Sequence, residues 1–246
     1  MILTIAGREL RSLFLSPLAW SLMAVLQLVL AWLFLLQLEA FMQMQPRLIG
    51  LENPPGLTDL VVIPLLDSAA VILMLLLPLL SMGAFSREYQ GGTIGLLFSS
   101  PLSMTRLVLG KYLALLLVAG LMVLLVSLMP LSLLLGGRPD LGTLAAGLLG
   151  LALVAASYAA LGLFLSSLTR QPAVAAIASY GVLLLLWILD LTGGGGGLFR
   201  QIALSSHYHR LLRGLVDSAD LAYFLLLTGG ALLLTIHRLV RLQSEG

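Results

Sequence analysis

Residues 112–135 read YLALLLVAGLMVLLVSLMPLSLLL, a run without a charged side chain, preceded by Lys111 and followed by Gly136-Gly137-Arg138-Pro139-Asp140. Roughly 20 apolar residues, at about 1.5 Å of rise each, let a helix cross the hydrocarbon core of a bilayer. This run meets that length, and its neighbours repeat the pattern. Leu18 to Leu38 lies between Pro17 and Glu39, and Leu65 to Phe85 ends at Arg87-Glu88. Leu141 to Leu165 stops at Ser166-Ser167-Leu168-Thr169-Arg170. Ala173 to Leu189 is closed by Asp190 and the glycines Gly193 to Gly197, and Leu221 to Ile236 precedes His237-Arg238. Six spans are therefore expected, over residues 18–38, 65–85, 112–135, 141–165, 173–189 and 221–236.

The whole composition agrees. Of 246 residues, 60% are hydrophobic and 10% charged, and the mean hydropathy is +1.08. A soluble domain carries about 25% charged residues, so lipid must be the solvent for most of this chain. With no Cys, disulfide scaffolds, thiolate metal sites and cysteine nucleophiles are excluded. The pI near 9.2 does not point to nucleic acid, because the net charge is only +2 and no basic run exceeds two residues.

The cations set the orientation. Six spans put the N-terminus, the second–third loop, the fourth–fifth loop and the C-terminus on one side. That side holds eight cations, Arg8, Arg11, Arg87, Arg106, Lys111, Arg170, Arg238 and Arg241, against three acids, Glu9, Glu88 and Glu245. The other side holds five cations and eight acids. Both termini are therefore expected in the cytoplasm.

Residues 1–17 do not read as a signal peptide, because the apolar stretch that follows is too long for an h-region. As a helix they place Leu3, Ala6, Leu10, Leu13 and Phe14 on one side and Thr4, Arg8 and Arg11 on the other. That amphipathic pattern suits a helix lying on the inner bilayer surface, bent at Pro17. A plain extension of the first span is the simpler alternative. The remainder, residues 18–246, reads as one membrane domain without an internal repeat.

The loop between the second and third spans runs Ser86-Arg87-Glu88-Tyr89-Gln90-Gly91-Gly92-Thr93-Ile94-Gly95-Leu96-Leu97-Phe98-Ser99-Ser100-Pro101 and continues to Gly110-Lys111. Gly91-Gly92 permits a turn into a helix that Thr93 can cap. Ile94, Leu96, Leu97 and Phe98 then make a short apolar turn on the aqueous side, and Pro101 suits the first turn of the next helix. An apolar helix held in cytoplasm by charged flanks needs a protein to cover it.

This loop resembles the signature loop of ABC-2 type transporter permeases, and most of all the branch of gliding-motility and nitrous-oxide-reductase-maturation permeases. Glu88, Gly92, Thr93, Leu96, Leu97, Ser100, Pro101, Gly110 and Lys111 carry the match. Where that family commonly has an acidic residue after Gly-Thr-x, this chain has Gly95. A second resemblance covers Ser205-Ser206-His207-Tyr208, Arg213-Gly214, Asp217, Asp220 and Tyr223 in the outer loop.

The resemblance implies a non-catalytic permease half in the cell inner membrane, working with two copies of a cytoplasmic ATP-binding-cassette ATPase and a second permease copy or paralogue. Residues 88–101 would be the coupling helix inserted into the ATPase. No Gly-x4-Gly-Lys-Ser/Thr occurs, so ATP chemistry is expected from another chain and no cofactor is expected here.

Other readings weaken on inspection. His207-Tyr208-His209 has only Asp217 and Asp220 near it as further metal ligands. Neither Ser99 nor Ser205 lies in a Gly-x-Ser-x-Gly elbow. Asp67 and Asp190 fall near outer span ends, which argues against an ion-coupled carrier. A transmitter that moves no substrate and actuates an extracytoplasmic partner stays open. Pro78 and Pro130 should kink their spans. Gly142, Gly147, Gly150 and Gly162 allow close approach within the chain or at a dimer seam. Leu198 to Val216, with Ile202, Leu204, Leu211, Leu212 and Leu215 between Arg200, Arg210 and Arg213, fits one or two short helices at the outer leaflet.

Overall fold

The computed structural model describes residues 2–48, 55–92, 103–137, 139–189 and 201–245. The described residues form helices and short turns with no strand. They are α1 (Ile2–Leu15), α2 (Pro17–Leu48), a π-helical turn (Thr58–Val62), α3 (Ile63–Ser81), α4 (Gly83–Gln90) and α5 (Met104–Ser132). A 3-10 turn (Leu133–Leu135) precedes α6 (Leu141–Leu168), α7 (Pro172–Ile188), α8 (Leu204–Leu212) and α9 (Ser218–Glu245). Five stretches are long and apolar enough to cross a membrane, Pro17–Pro46, Thr58–Gln90, Met104–Leu135, Leu141–Leu168 and Ser218–Ser244. α7 is apolar but shorter, at 17 residues. Large apolar side chains such as Leu28, Trp32, Leu226 and Leu233 stand exposed on the bundle's outside, as lipid contact requires.

The helices overrun the runs that predict them. α2 continues past Glu39 to Leu48, with Gln43 Nε2 donating to Glu39 Oε1 at 3.1 Å one turn on. α5 starts eight residues before Tyr112, where Ser103 accepts from the Arg106 amide as N-cap. Apolar runs mark the lipid-embedded part of a helix, and caps mark its true ends.

α6 is the central helix, packed against α3, α4, α5, α7, α8 and α9. Its glycines explain how. A Cβ on Gly147 would lie 2.7 Å from Leu66 Cδ1, and one on Gly150 would lie 3.0 Å from Leu211 Cβ. A Cβ on Gly162 would lie 2.0 Å from Ser81 Oγ. At these three positions the small residues serve packing within the chain, whereas Gly142 meets only its own cap residue, Asp140. That cap is well made. The Thr143 hydroxyl donates to Asp140 Oδ2 at 2.6 Å and the Gly142 amide to Oδ1 at 2.9 Å. These bonds hold the Asp140 carboxyl below the usual carboxylate range.

Pro78 is followed by a break between α3 and α4 at Met82. Ser166 of α6 enters the break. Its Oγ accepts from the Phe85 and Ser86 amides at 3.0 and 3.2 Å and donates to Met82 O at 2.8 Å. A side chain inserted into the helical ladder is a recognised source of a kink. It leaves no buried donor unmade here, which would cost about 1–3 kcal/mol each. Pro130 lies near the end of α5, just before the 3-10 turn.

Candidate functional site

Contacts sort the charged residues into two ends. At one end Lys111 of α5, only 3% exposed, lies 2.9 Å from Glu9 Oε1 of α1 and 2.8 Å from Glu88 Oε1 of α4. Its ammonium also sits 5.4 Å from the Phe85 ring centroid. A buried ammonium without a counter-charge is prohibitively costly, so this lysine must bring the two carboxylates, and with them α1 and α4, to α5. Gly110 completes the seat. A Cβ there would lie 2.7 Å from Ile5 Cγ2, so only glycine lets α1 approach this closely. The Gly110-Lys111 pair of the sequence is thus the docking point of α1.

The inward side of α1 holds Ile5, Ala6, Glu9, Leu10 and Leu13. Leu3, on the expected apolar face, is 76% exposed. The helical wheel ranked residues by polarity and so missed Glu9, which is turned inward and half-buried beside its partner.

α4 ends where Gly91 N donates to Arg87 O at 2.9 Å. Gly92 follows with φ +68°, a left-handed conformation that favours glycine. Glu88 and Gly92 are therefore placed, whereas Thr93, Gly95, Leu96, Leu97, Ser100 and Pro101 lie outside the described residues. Arg170 and Arg238 line a small cleft with Tyr89 at this same end.

At the other end His207 of α8 meets Asp220 of α9. Nδ1 lies 2.6 Å from Asp220 Oδ1, and Nε2 donates to Gln201 O at 2.8 Å. The His207 ring stacks on Tyr223 with centroids 4.0 Å apart, and the Tyr223 hydroxyl donates to Ile202 O at 2.6 Å. Asp220 is fully buried. The Arg210 guanidinium neutralises it, with Nε 3.0 Å from Oδ2 and an Nη in contact with Oδ1.

Arg210 is the residue that sequence matching missed. It lies three positions after His207, on the same helical face, and that spacing was the available signal. Arg213, by contrast, is exposed and does not join the cluster. The other motif residues shape the chain. Gly214, at φ +78°, closes α8 in a Schellman motif, with Gly214 N bonded to Leu211 O and Leu215 N to Arg210 O. Asp217 Oδ1 accepts from Ala219 N at 3.1 Å at the start of α9.

His209 points the other way, towards α3. Its Nδ1 lies 2.8 Å from Ser205 O and its Nε2 3.2 Å from Asp67 Oδ1. Tyr208 adds a bond from its hydroxyl to Leu66 O at 2.7 Å, and burial pushes its phenol well above the ordinary value. His207 and His209 are thus engaged by Asp220 and by Asp67 on different sides of α8, and among the described residues no group of three or more His, Asp or Glu converges on one point.

The arrangement is a bundle of apolar helices with an ionic cluster at each end, as suits a polytopic membrane protein. The chain belongs to the ABC-2 family transporter proteins, whose family model matches residues 3–235. No curated protein matches it. Membership makes the chain a membrane-embedded permease, the membrane subunit of an ATP-binding-cassette transporter.

Proposed function

We propose that this permease forms half of a transport path in the cell inner membrane and takes its energy from a separate cytoplasmic ATPase through residues 88–101. In this reading six helices cross the bilayer and both termini are cytoplasmic. α7 is the short fifth crossing. Its 17 residues extend about 25 Å at helical rise. α7 packs against α4, and the carbonyl of its Trp187 accepts a bond from Ser205 of α8. Two ATPase copies and a second permease, identical or a paralogue, complete the assembly. The branch resemblance, to gliding-motility and nitrous-oxide-reductase-maturation permeases, belongs to the same reading.

One observation carries it. The base of the 88–101 segment is rigidly anchored, by Lys111 to α1 and α5 and by Ser166 to α6. Movement imposed on residues 93–101 would therefore pass into three helices rather than be lost at a hinge. In this role Glu88 and Gly92 set the base, and Thr93, Leu96, Leu97, Ser100 and Pro101 form the apolar plug. At the other end the His207–Arg210–Asp220 cluster supports a second reading. It ties α8 to the spanning helix α9, so motion would also reach an outer element able to actuate an extracytoplasmic partner. His207, Gly214, Asp217, Asp220 and Tyr223 would there maintain the shape of that element, and the exposed Arg213 would stand free on its surface for a partner.

Leu97→Asp tests the docking role. A charge without a partner in an apolar interface costs several kcal/mol, so the variant should lose ATPase co-purification and the activity of the complex while still inserting. Wild-type values for both would contradict the docking role.

A further inference from the structure

At the Lys111 end of the bundle, a cleft of about 110 Å³ opens between the end of α4, the segment that follows α6 and the last turns of α9. Arg170 and Arg238 line it with Tyr89 and Thr169, and Leu168 and Leu242 supply its apolar part. About 10–15 Å³ holds one water, so a group the size of a phosphate has room.

The cleft collects positive charge without a counter-charge. Among the described residues no acid lines it, and neither Arg170 nor Arg238 forms an ion pair. Glu88, the chain neighbour of Tyr89, belongs to a separate cluster. There Lys111 lies 2.9 Å from Glu9 and 2.8 Å from Glu88, and Arg8 lies 3.6 Å from Glu9. Two carboxylates meet two cations in that cluster, so it lends no negative charge to the cleft.

Donors in the cleft are also unspent. Among the described residues Arg238 Nε and the Tyr89 hydroxyl are buried and have no hydrogen-bond partner, whereas buried polar groups of native proteins are nearly always matched. The Thr169 hydroxyl accepts from the Gln171 amide at 3.2 Å and keeps its own proton to donate. Ser167, also in the lining, is committed elsewhere, because its hydroxyl donates to Phe164 O at 2.6 Å.

We infer that this cleft binds the phosphate of a net-anionic phospholipid, of which phosphatidylglycerol is the simplest. The phosphodiester would lie between the Arg170 and Arg238 guanidiniums and accept from Arg238 Nε and the Tyr89 hydroxyl. Arg suits it because the planar fork presents several donors to the phosphate oxygens. A headgroup ammonium would meet two guanidiniums and no carboxylate, so zwitterionic lipids are disfavoured. The position selects a lipid over a free phosphate ester. Arg170 lies two residues past the end of α6, and Arg238 two past the apolar run 221–236, the level at which spanning helices meet headgroups. Leu168, 47% exposed, stands beside them for an acyl chain. This inference needs only a membrane-embedded chain, whichever way it faces, and is independent of ATPase docking.

Native mass spectrometry of the delipidated full-length protein in detergent tests it. Dioleoyl phosphatidylglycerol, phosphatidylethanolamine, phosphatidylcholine or free glycerol phosphate is added in separate arms. The expected result is one retained phosphatidylglycerol per chain, at least about tenfold tighter than the other three, the margin of a charge-assisted hydrogen bond. Arg238→Gln should weaken that binding about tenfold or more, and Arg238→Lys should restore part of it. Arg170→Gln should weaken it about threefold, the smaller loss of an exposed charge. Arg170 is exposed, so its variant should melt like the wild type and decides the matter if Arg238→Gln disturbs α9. Arg11→Gln, exposed on α1 and outside the cleft, should bind as the wild type does. Equal retention of phosphatidylethanolamine or phosphatidylcholine, equal binding of glycerol phosphate, unaltered binding by both cleft variants, or an equal loss in Arg11→Gln would each overturn the inference.

Discussion

Lys111→Met is expected to destabilise the inner end by about 2–4 kcal/mol, below the roughly 3–5 kcal/mol of a fully buried pair because both glutamates keep some water. Their side chains are 22% and 18% exposed, against 3% for the lysine. Removing the ammonium takes from Glu9 and Glu88 their shared close cation and leaves Glu9 the more distant, largely exposed Arg8 at 3.6 Å. It also weakens the tie of α1 to α5, which then rests on apolar packing such as that of Ile5 over Gly110. The companion experiment separates lost charge from lost packing. Adding Glu9→Gln and Glu88→Gln to Lys111→Met removes the stranded charges and should recover most of the stability, because a buried ionic cluster is often replaceable as a whole. Thermal melting of the detergent-solubilised proteins is the measurement. A single variant that melts like the wild type, or a triple variant no better than the single, would mean that the ammonium is not the tie.

Gly162→Ala is expected to cost about 1–3 kcal/mol through overpacking. The added methyl would lie 2.0 Å from Ser81 Oγ and 2.9 Å from Ser81 Cβ. The hydroxyl can rotate, but Cβ moves only with the backbone, so α3 and α6 must separate beside the Ser166 clamp. Ser81→Gly in the same chain removes both contacts and should restore most of the loss. Gly229→Ala provides the control, because nothing lies within 4 Å of its Cβ position and alanine favours helix. It should be neutral or slightly stabilising. Equal melting temperatures for Gly162→Ala and Gly229→Ala would show that α3 and α6 do not cross this closely.

The helical membrane architecture was legible in the sequence because lipid imposes one simple demand, long apolar runs. The grouping of charges was legible too. Glu9, Glu88 and Lys111, assigned to one side by counting cations, meet at one end, and Asp67 and Asp220, assigned to the other, sit beside α8. Helix ends were less legible, since α2 and α5 extend beyond their apolar runs on the strength of local caps and spacing. The pairings were not legible at all. Lys111 looks like a solvated loop cation until α1 is placed across Gly110, and Arg210 looks less informative than Arg213 until His207 and Asp220 meet. Ser166 reads as an ordinary polar span end, because what it satisfies are backbone amides 81 and 80 residues away, and backbone donors leave no trace in side-chain composition.

The central claim is that residues 88–101 leave the bilayer on its cytoplasmic side and grip an ATPase subunit. A photo-activated cross-linker placed at position 97, irradiated in native membranes that contain the complete transporter, tests this most directly. The account predicts a covalent adduct with the nucleotide-binding subunit whose yield changes when ATP is trapped in it. Adducts with lipid alone, or labelling only by reagents confined to the outer face, would contradict it.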